Sequence, residues 1–245
     1  MKSMTKVSRL FAITSLGAAL VACGDGSDDF VSSVNTVPPG PEMATFAVGV
    51  TNLTNAQPLS PVAVIAHDDQ YRVFAVGTTA TVGLESLAEG GDNADLLAEA
   101  GATALATASG GGPIGPGANE VISVSVEVTQ LPGLRLSAVT MLVNTNDAFA
   151  ALNGMDVSGF AERDRVTRRV IAYDAGTELN DELATNIPGP AGGGEGFNAA
   201  RNDRQDFVTM HQGVVSADDG FATSNLNESH RFDNPVAQII ITRTD

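Results

Sequence analysis

Three carboxylates carry the chemistry most open to this chain: Glu127, Asp147 and Asp174. Asp147 ends the run Asn144-Thr145-Asn146-Asp147, and Asp174 stands in Ala172-Tyr173-Asp174-Ala175-Gly176-Thr177. Each follows a segment that reads as a strand, residues 139–143 for the first and 169–173 for the second. An acid just past a strand end lies on the rim of a sheet, where loops gather and hard cations find oxygen ligands. Asp and Asn in such places also satisfy turn backbone, and spacing alone leaves both readings open. Glu127 lies near the end of the strand-like run 120–128, where the plain alternative is an exposed strand residue.

Other chemistries find less to work with. His67, His211 and His230 form no HxH or HxxxH pair, and the single cysteine, Cys23, stands near the amino terminus at a site read below as acylated, so the sequence offers no zinc cage. No Gly-x-Ser-x-Gly elbow is present. Paired carboxylates suit glycoside hydrolysis, but such clefts are lined by aromatic rings, and this chain has no Trp and two Tyr. The glycines of residues 106–118 lack the Lys-Ser/Thr of a phosphate loop.

The elements that must position the acids are mostly strands. Phe46, Val48 and Val50 alternate with smaller or polar residues, as in a half-buried strand. Residues 61–67 form a second extended run, and 72–74 a short third. Residues 81–97 change to helical spacing, interrupted at Gly90-Gly91, and predict a helical crossover lying on a sheet. Residues 120–128 are the cleanest alternation. Pro132-Gly133 then predicts a hairpin turn, with residues 134–143 returning antiparallel. Residues 106–118 read as loop, 147–152 as a single helical turn, 155–168 as irregular, and 178–204 as a long Gly/Pro/Asn-rich excursion. Residues 207–211 and 236–242 close the chain as strands. The expectation is all-β: an antiparallel β-sandwich of about eight strands with one or two short helices.

Residues 137–154, followed by Tyr173-Asp174-Ala175-Gly176-Thr177, resemble the N-terminal spondin domain of the F-spondin/mindin type, in its bacterial lipoprotein form. The segments 67–92 and Arg231-Phe232-Asp233-Asn234-Pro235-Val236-Ala237 are similar to further parts of the same family, so the likeness covers about residues 43–243. The resemblance implies a β-sandwich with a divalent ion, calcium, on one edge. Residue by residue, its ligands fall on Glu127, Asp147 and Asp174, with backbone carbonyls and water completing the shell. The chain departs from the animal members in having Ala148 where they have Trp, and in lacking their cysteines.

The amino terminus places the domain. Lys2, Lys6 and Arg9 precede an apolar run from residue 10 to 22, too short for a permanent bilayer span, and Leu20-Val21-Ala22-Cys23 fits a bacterial lipobox. Residues 1–22 are expected to be a lipoprotein signal and Cys23 the acylated residue. Gly24 after Cys23 points to the outer membrane of a Gram-negative envelope. Residues 23–42, rich in Ser, Asp, Gly and Pro, read as a flexible tether, and 43–245 as one domain.

Removing residues 1–22 takes away three basic residues and no acid, leaving ten arginines against 29 acids, a net charge of −19 without lysine. Such a surface repels nucleic acid and anionic headgroups and attracts cations. The expected function is a calcium-binding adhesion or binding module, with an unidentified protein or glycan ligand at the cell surface and membrane contact only through lipid. An envelope hydrolase using the acidic rim and a structural envelope protein are the other classes. Replacing Cys23 by Ser is expected to abolish acylation and sedimentation with membranes. A serine variant that stays in the membrane fraction at high salt would show that Cys23 is not the anchor.

Overall fold

The structure, a computed structural model, describes residues 40–200 and 206–245; the expected signal segment, Cys23 and the expected tether up to residue 39 lie outside the described residues. Its elements run, in order, β1 (Met43–Asn52), β2 (Ala63–His67), α1 (Val82–Gly90), α2 (Ala94–Gly101), β3 (Ala106–Ser109), β4 (Asn119–Glu127), β5 (Arg135–Met141), β6 (Ala148–Asp156), β7 (Arg165–Val170), β8 (Ala172–Asp174), β9 (Thr209–Met210) and β10 (Ala237–Arg243). One four-stranded sheet has the order β4-β1-β10-β7 and one six-stranded sheet the order β3-β2-β5-β6-β8-β9, with antiparallel pairing throughout.

The two sheets pack face to face, as the β-sandwich expectation required, with the helices as a third layer. Period-two side-chain alternation explains how the six-stranded sheet serves two cores at once. Val64 and Ala66 of β2, Leu136 and Ala138 of β5, and Ala148 and Ala150 of β6 face the four-stranded sheet, where they meet Phe46, Val48 and Val50 of β1 and Ile239 and Ile241 of β10. The intervening residues Ala63, Ile65, Val139, Met141 and Phe149 face the helices and pack on Leu84, Leu87 and Leu96. A strand covered on both faces needs apolar residues without alternation, which is why residues 61–67 read as a continuous run. The outer face of the four-stranded sheet meets solvent, and β4 there alternates cleanly between exposed and buried residues.

Helix α1 starts where Thr81 Oγ1 accepts the Leu84 N–H at 3.2 Å and stops at Gly91, whose φ of 72° is left-handed. The two helices touch closely at Gly83: a Cβ there would lie 2.7 Å from the Leu96 backbone. An alanine at this position would push them apart.

Five sequence readings are corrected. Residues 72–74 form no strand. Residues 106–109 are a strand, β3, paired to β2. Residues 147–152 are not a helical turn: Ala148 opens β6, a nine-residue strand. Residues 165–170 form β7, which pairs β10. The expected hairpin does not exist either. β4 pairs β1 in one sheet, while β5 pairs β2 and β6 in the other, so the turn at Pro132-Gly133 carries the chain between sheets. Local turn chemistry cannot distinguish a hairpin from a sheet-to-sheet corner, because both need the same chain reversal.

A buried polar network secures the middle sheet. The β5–β6 register shifts between Leu136 and Ala138, and Ser137 sits at the irregularity. Its Oγ accepts the Gly154 N–H at 2.8 Å and lies 2.8 Å from His67 Nε2, while His67 Nδ1 lies 2.6 Å from the Asp68 carbonyl. The consistent assignment has the Ser137 hydroxyl donating to Nε2 and Nδ1–H donating to the carbonyl. Both residues are fully buried, so the pair serves structure rather than nucleophilic attack. Burial lowers the His67 pKa, with the Asp68 contacts opposing. The ring is therefore neutral at pH 7. Ser137→Ala strands the Gly154 N–H and one imidazole nitrogen out of water and is expected to cost about 1–3 kcal/mol in urea unfolding. A change within experimental error would show that water replaces the hydroxyl.

Candidate functional site

The run from Asn144 to Asp147 forms the turn between β5 and β6, and all four of its residues are buried. Each is held by a different part of the chain. Asn144 Nδ2 donates to the Ala56 carbonyl at 2.9 Å, and Asn144 Oδ1 accepts the Ala191 N–H at 2.9 Å. Thr145 closes the turn: its hydroxyl donates to the Leu142 carbonyl and accepts the Ala148 N–H. Asn146 Nδ2 donates to Asp181 Oδ1 at 3.3 Å. Asp147 Oδ2 accepts the Thr177 and Glu178 N–H groups at 2.9 and 3.1 Å.

Asp174 comes to the same place from β8. Ala148 is its partner across the ladder and Phe149 the partner of Tyr173; those two rings stack 5.5 Å apart, with Phe74 against both. This aromatic cluster beneath the helices locks β6 to β8 and so fixes the two acids side by side. Asp174 Oδ1 accepts the Gly176 N–H at 2.8 Å and Oδ2 accepts from Asn180 Nδ2 at 2.7 Å. Gly176 is required twice over, by a φ of 76° and by the Phe207 carbonyl, which a Cβ would meet at 2.4 Å.

Glu127 is not part of this group. It pairs with Met43 at the start of β1, whereas Asn52, at the other end of that strand, donates to the Gln57 carbonyl, and Gln57 bonds Asn144. Nine residues of extended chain separate the two ends, roughly 30 Å at 3.4 Å per residue. The missing hairpin is the reason: β4 belongs to the opposite sheet. Glu127 is exposed and caps the 3-10 turn Val128–Gln130, its N–H donating to Gln130 Oε1 at 2.9 Å. The three-carboxylate ligand set is therefore not assembled. Among the described residues no three His, Cys, Asp or Glu side chains converge as a metal cage.

What the fold does bring together is a pair of carboxylates, Asp147 and Asp174, with Asn146 next in the chain. Asp147 is completely buried, and its Oδ1 has no hydrogen-bond partner; the adjacent Asn146, also completely buried, leaves its own Oδ1 unpartnered. Burial, then the charge of Asp174, push the Asp147 carboxyl up to about 8, against the lowering effect of the Glu178 and Thr177 amides. Two buried oxygens without donors, on consecutive residues next to a second carboxylate, are acceptors awaiting a proton or a cation. As a donor set they fit a hard ion that accepts carboxylate, amide and carbonyl oxygens together.

Past Asp174 the surface opens into a cleft of about 600 Å³, lined among others by Asp174, Glu178, Leu179, Asn180, Glu182, Met210 and Val215. His211, between the lining residues Met210 and Gln212 in the chain, is 4% exposed and packs 5.4 Å from the Phe232 ring. Its Nδ1 accepts the Gly213 N–H at 3.0 Å, so in the neutral ring Nε2 carries the proton, and that nitrogen has no partner. Burial lowers the His211 pKa and the Asp174 charge opposes this. His67 belongs to the network of the middle sheet, and His230 caps a turn by accepting the Asn227 N–H.

Sequence reasoning missed Asn146 and Glu182. The first stands within the quoted motif and was open to recognition, because an amide oxygen beside an acid is as good a hard donor. Glu182 lies in the irregular excursion, where no periodicity marks which acid turns inward.

A scan against protein-family models and a search of the curated proteins both find no match for the chain. The likeness to spondin domains therefore rests on the motif residues alone. Among the described residues no helix is long and apolar enough to cross a membrane.

The Asp147 carboxyl makes a signed prediction. A group whose pKa is raised on folding favours the native state below its unfolded value, near 4, and loses that contribution as pH climbs to about 8. In EDTA, Asp147→Asn is expected to gain stability relative to the wild type between pH 5 and pH 8.5 in guanidinium unfolding. Parallel pH profiles for the two proteins would place Asp147 in water.

Proposed function

We propose that this chain is a lipid-anchored binding module of a Gram-negative envelope, of spondin type, in which calcium held at the loop end of the sandwich stabilises the ligand-binding face. The observation that supports it is the pair of fully buried, unpartnered oxygens, Asn146 Oδ1 and Asp147 Oδ1, beside Asp174. In this reading Asp147 and Asp174 supply the charge, Asn146 an amide oxygen, and the adjoining backbone the remaining donors. Glu127 has no part in it. The ion would replace the proton that burial otherwise keeps on Asp147 and would tie β6 to the loop after β8.

The domain is a binding module rather than an enzyme, with a protein or glycan partner outside the cell. The acidic excess of the chain, 29 carboxylates against 13 basic residues, argues against nucleic acid as that partner. Anchorage by lipid would leave the folded part free of the bilayer.

The test is thermal unfolding in EDTA and in millimolar calcium. Extracellular modules bind calcium at about 0.1–1 mM, and a hundredfold excess over the dissociation constant adds roughly 2.7 kcal/mol. That corresponds to roughly 5–10 °C in Tm for a domain of this size. Asp147→Asn and Asp174→Asn are each expected to shrink the shift. A wild-type melting curve indifferent to calcium and EDTA would sink the cation reading.

A further inference from the structure

Asn153-Gly154 is the only Asn-Gly pair in the sequence. Asn-Gly is the dipeptide at which a side-chain amide is most readily lost, because glycine has no side chain to obstruct attack by its own nitrogen. The pair stands in β6 where the register to β5 shifts, opposite Ser137 at the irregularity. Gly154 adopts a φ of 75°, so a residue with a side chain would be strained there. Asn153 is as hard to exchange. Its Oδ1 accepts the Val73 N–H at 3.2 Å, and its Nδ2 donates to the Phe74 carbonyl at 2.8 Å. Of side chains this short, only the carboxamide offers separate donor and acceptor atoms. The fold thus retains a chemically labile dipeptide for structural reasons.

Contacts among the described residues hold the reaction back. To begin it, the Gly154 nitrogen must yield its proton to hydroxide and attack Asn153 Cγ. That N–H donates to Ser137 Oγ at 2.8 Å, and Ser137 is fully buried. The carboxamide is pinned through both its oxygen and its nitrogen to residues 73–74, which keeps Cγ from swinging toward the Gly154 nitrogen. Completed, the reaction forms the bond from the Gly154 nitrogen to Cγ and breaks the bond from Cγ to Nδ2. Ammonia leaves with a proton from water, and water opens the resulting succinimide to aspartate or isoaspartate.

We propose that Asn153 is a deamidation site that the fold keeps closed, with Ser137 as its latch, and that its conversion to aspartate releases the chain at Val73-Phe74. Aspartate keeps an acceptor for the Val73 N–H, but it sets a charged oxygen against the Phe74 carbonyl with no proton between them. Phe74 packs on the Phe149 and Tyr173 rings, with centroids 5.1 and 4.7 Å away. That ring cluster holds β6 to β8, so the change reaches Asp147 and Asp174 from a distance. Isoaspartate does more, because its extra backbone carbon breaks the register of β6. The inference stands apart from the binding-module reading and needs no cation.

The experiment is incubation of the intact protein in mildly alkaline buffer, with peptide mapping by mass spectrometry at residue 153. The folded wild type is expected to keep Asn153 over an interval in which the same protein, unfolded in urea, converts it. Ser137→Ala is expected to convert it about tenfold faster than the folded wild type, the rate equivalent of one hydrogen bond. Because that variant is also less stable, the control is a truncation in the sandwich core matched to its loss, Ile239→Val or Ile239→Ala. The control should keep Asn153 as the wild type does. Asn153→Asp represents the product. Trypsin is expected to cut it after the exposed Arg72 about tenfold faster than the wild type, since cleavage tracks the population of the opened segment. Asn153→Ala removes both bonds without adding charge, and gives the same readout should the aspartate variant not fold.

Conversion of the folded wild type at the unfolded rate would overturn the proposal, because the site would then be open. Equal rates in Ser137→Ala and the wild type would overturn it by removing the latch. Conversion in the core-truncated control as fast as in Ser137→Ala would overturn it by making global unfolding the route. Resistance to trypsin at Arg72 equal to that of the wild type, in the folded Asn153 variants, would overturn the release of Val73-Phe74.

Discussion

Keeping four consecutive polar residues out of water is the demand that shapes the loop end of this molecule. A buried amide, hydroxyl or carboxylate is costly unless it finds partners inside. For residues 144–147 the partners come from far along the chain: Ala56 and Gln57, Thr177 and Glu178, Asp181, and Ala191. One turn therefore gathers the segment before β2, the loop after β8 and the excursion beyond it. Residues 178–200 carry no strand or helix, and side-chain hydrogen bonds to this turn replace sheet pairing in holding them. The same logic governs Asn52, whose amide donates to the carbonyls of Gln57 and Ile114. Removing any one of these polar side chains would leave a buried group without its partner and cost more than an ordinary hydrogen bond contributes.

The layers decide which part of the molecule is left for function. Helices α1 and α2 cover one face of the six-stranded sheet, and the four-stranded sheet covers the other. The solvent face of the four-stranded sheet carries many small and polar residues, among them Thr45 and Ser125, whose hydroxyls bond each other at 2.9 Å, with Val121 exposed there as well. At the loop end, by contrast, acids and large apolar side chains occur together, and it is there that β8 and the short edge strand β9 run out. The excursion from β8 to β9 adds loops at that end without disturbing either core, since its Ile187 packs with Val214 and Leu226 of the segment after β9 in a small cluster of their own.

Much of this was legible from residue types and much was not, for reasons that differ by position. Strand β1 and strand β10 announced themselves by alternation, because each has one face in water. Helix α1 announced itself by Thr81 and by the glycines that end it. The link between Asp147 and Asp174 was legible because both follow strands that end at the same rim. Glu127 was misplaced because its position depended on a hairpin, and pairing partners are set by burial across the whole domain rather than by the turn between two strands. β6 hid behind Asn and Asp residues that look like a helix cap, yet they are consumed by distant partners. β7 hid because Arg165, Arg168 and Arg169 give an exposed edge strand the look of a loop; charged residues at such edges discourage pairing with other chains. Glu182 could not be picked from among the acids of the excursion, since no regular element orients it.

The identity of residue 147 bears on use as well as on shape. Asparagine would accept the Thr177 and Glu178 amides as well as aspartate does, and it would avoid setting a buried carboxyl beside Asp174. Without a cation the acid only opposes folding at neutral pH, as its displacement to about 8 records. An acid gains over an amide at this position only when a positive charge arrives to meet both carboxylates, for then the same low-dielectric burial that penalises the bare charge strengthens its attraction to the ion. A buried, electrostatically strained acid at the rim of a domain is where a functional site is to be sought. Here the strain lies next to the cleft with the exposed apolar rim, so the costly group and the open surface adjoin at one end of the fold.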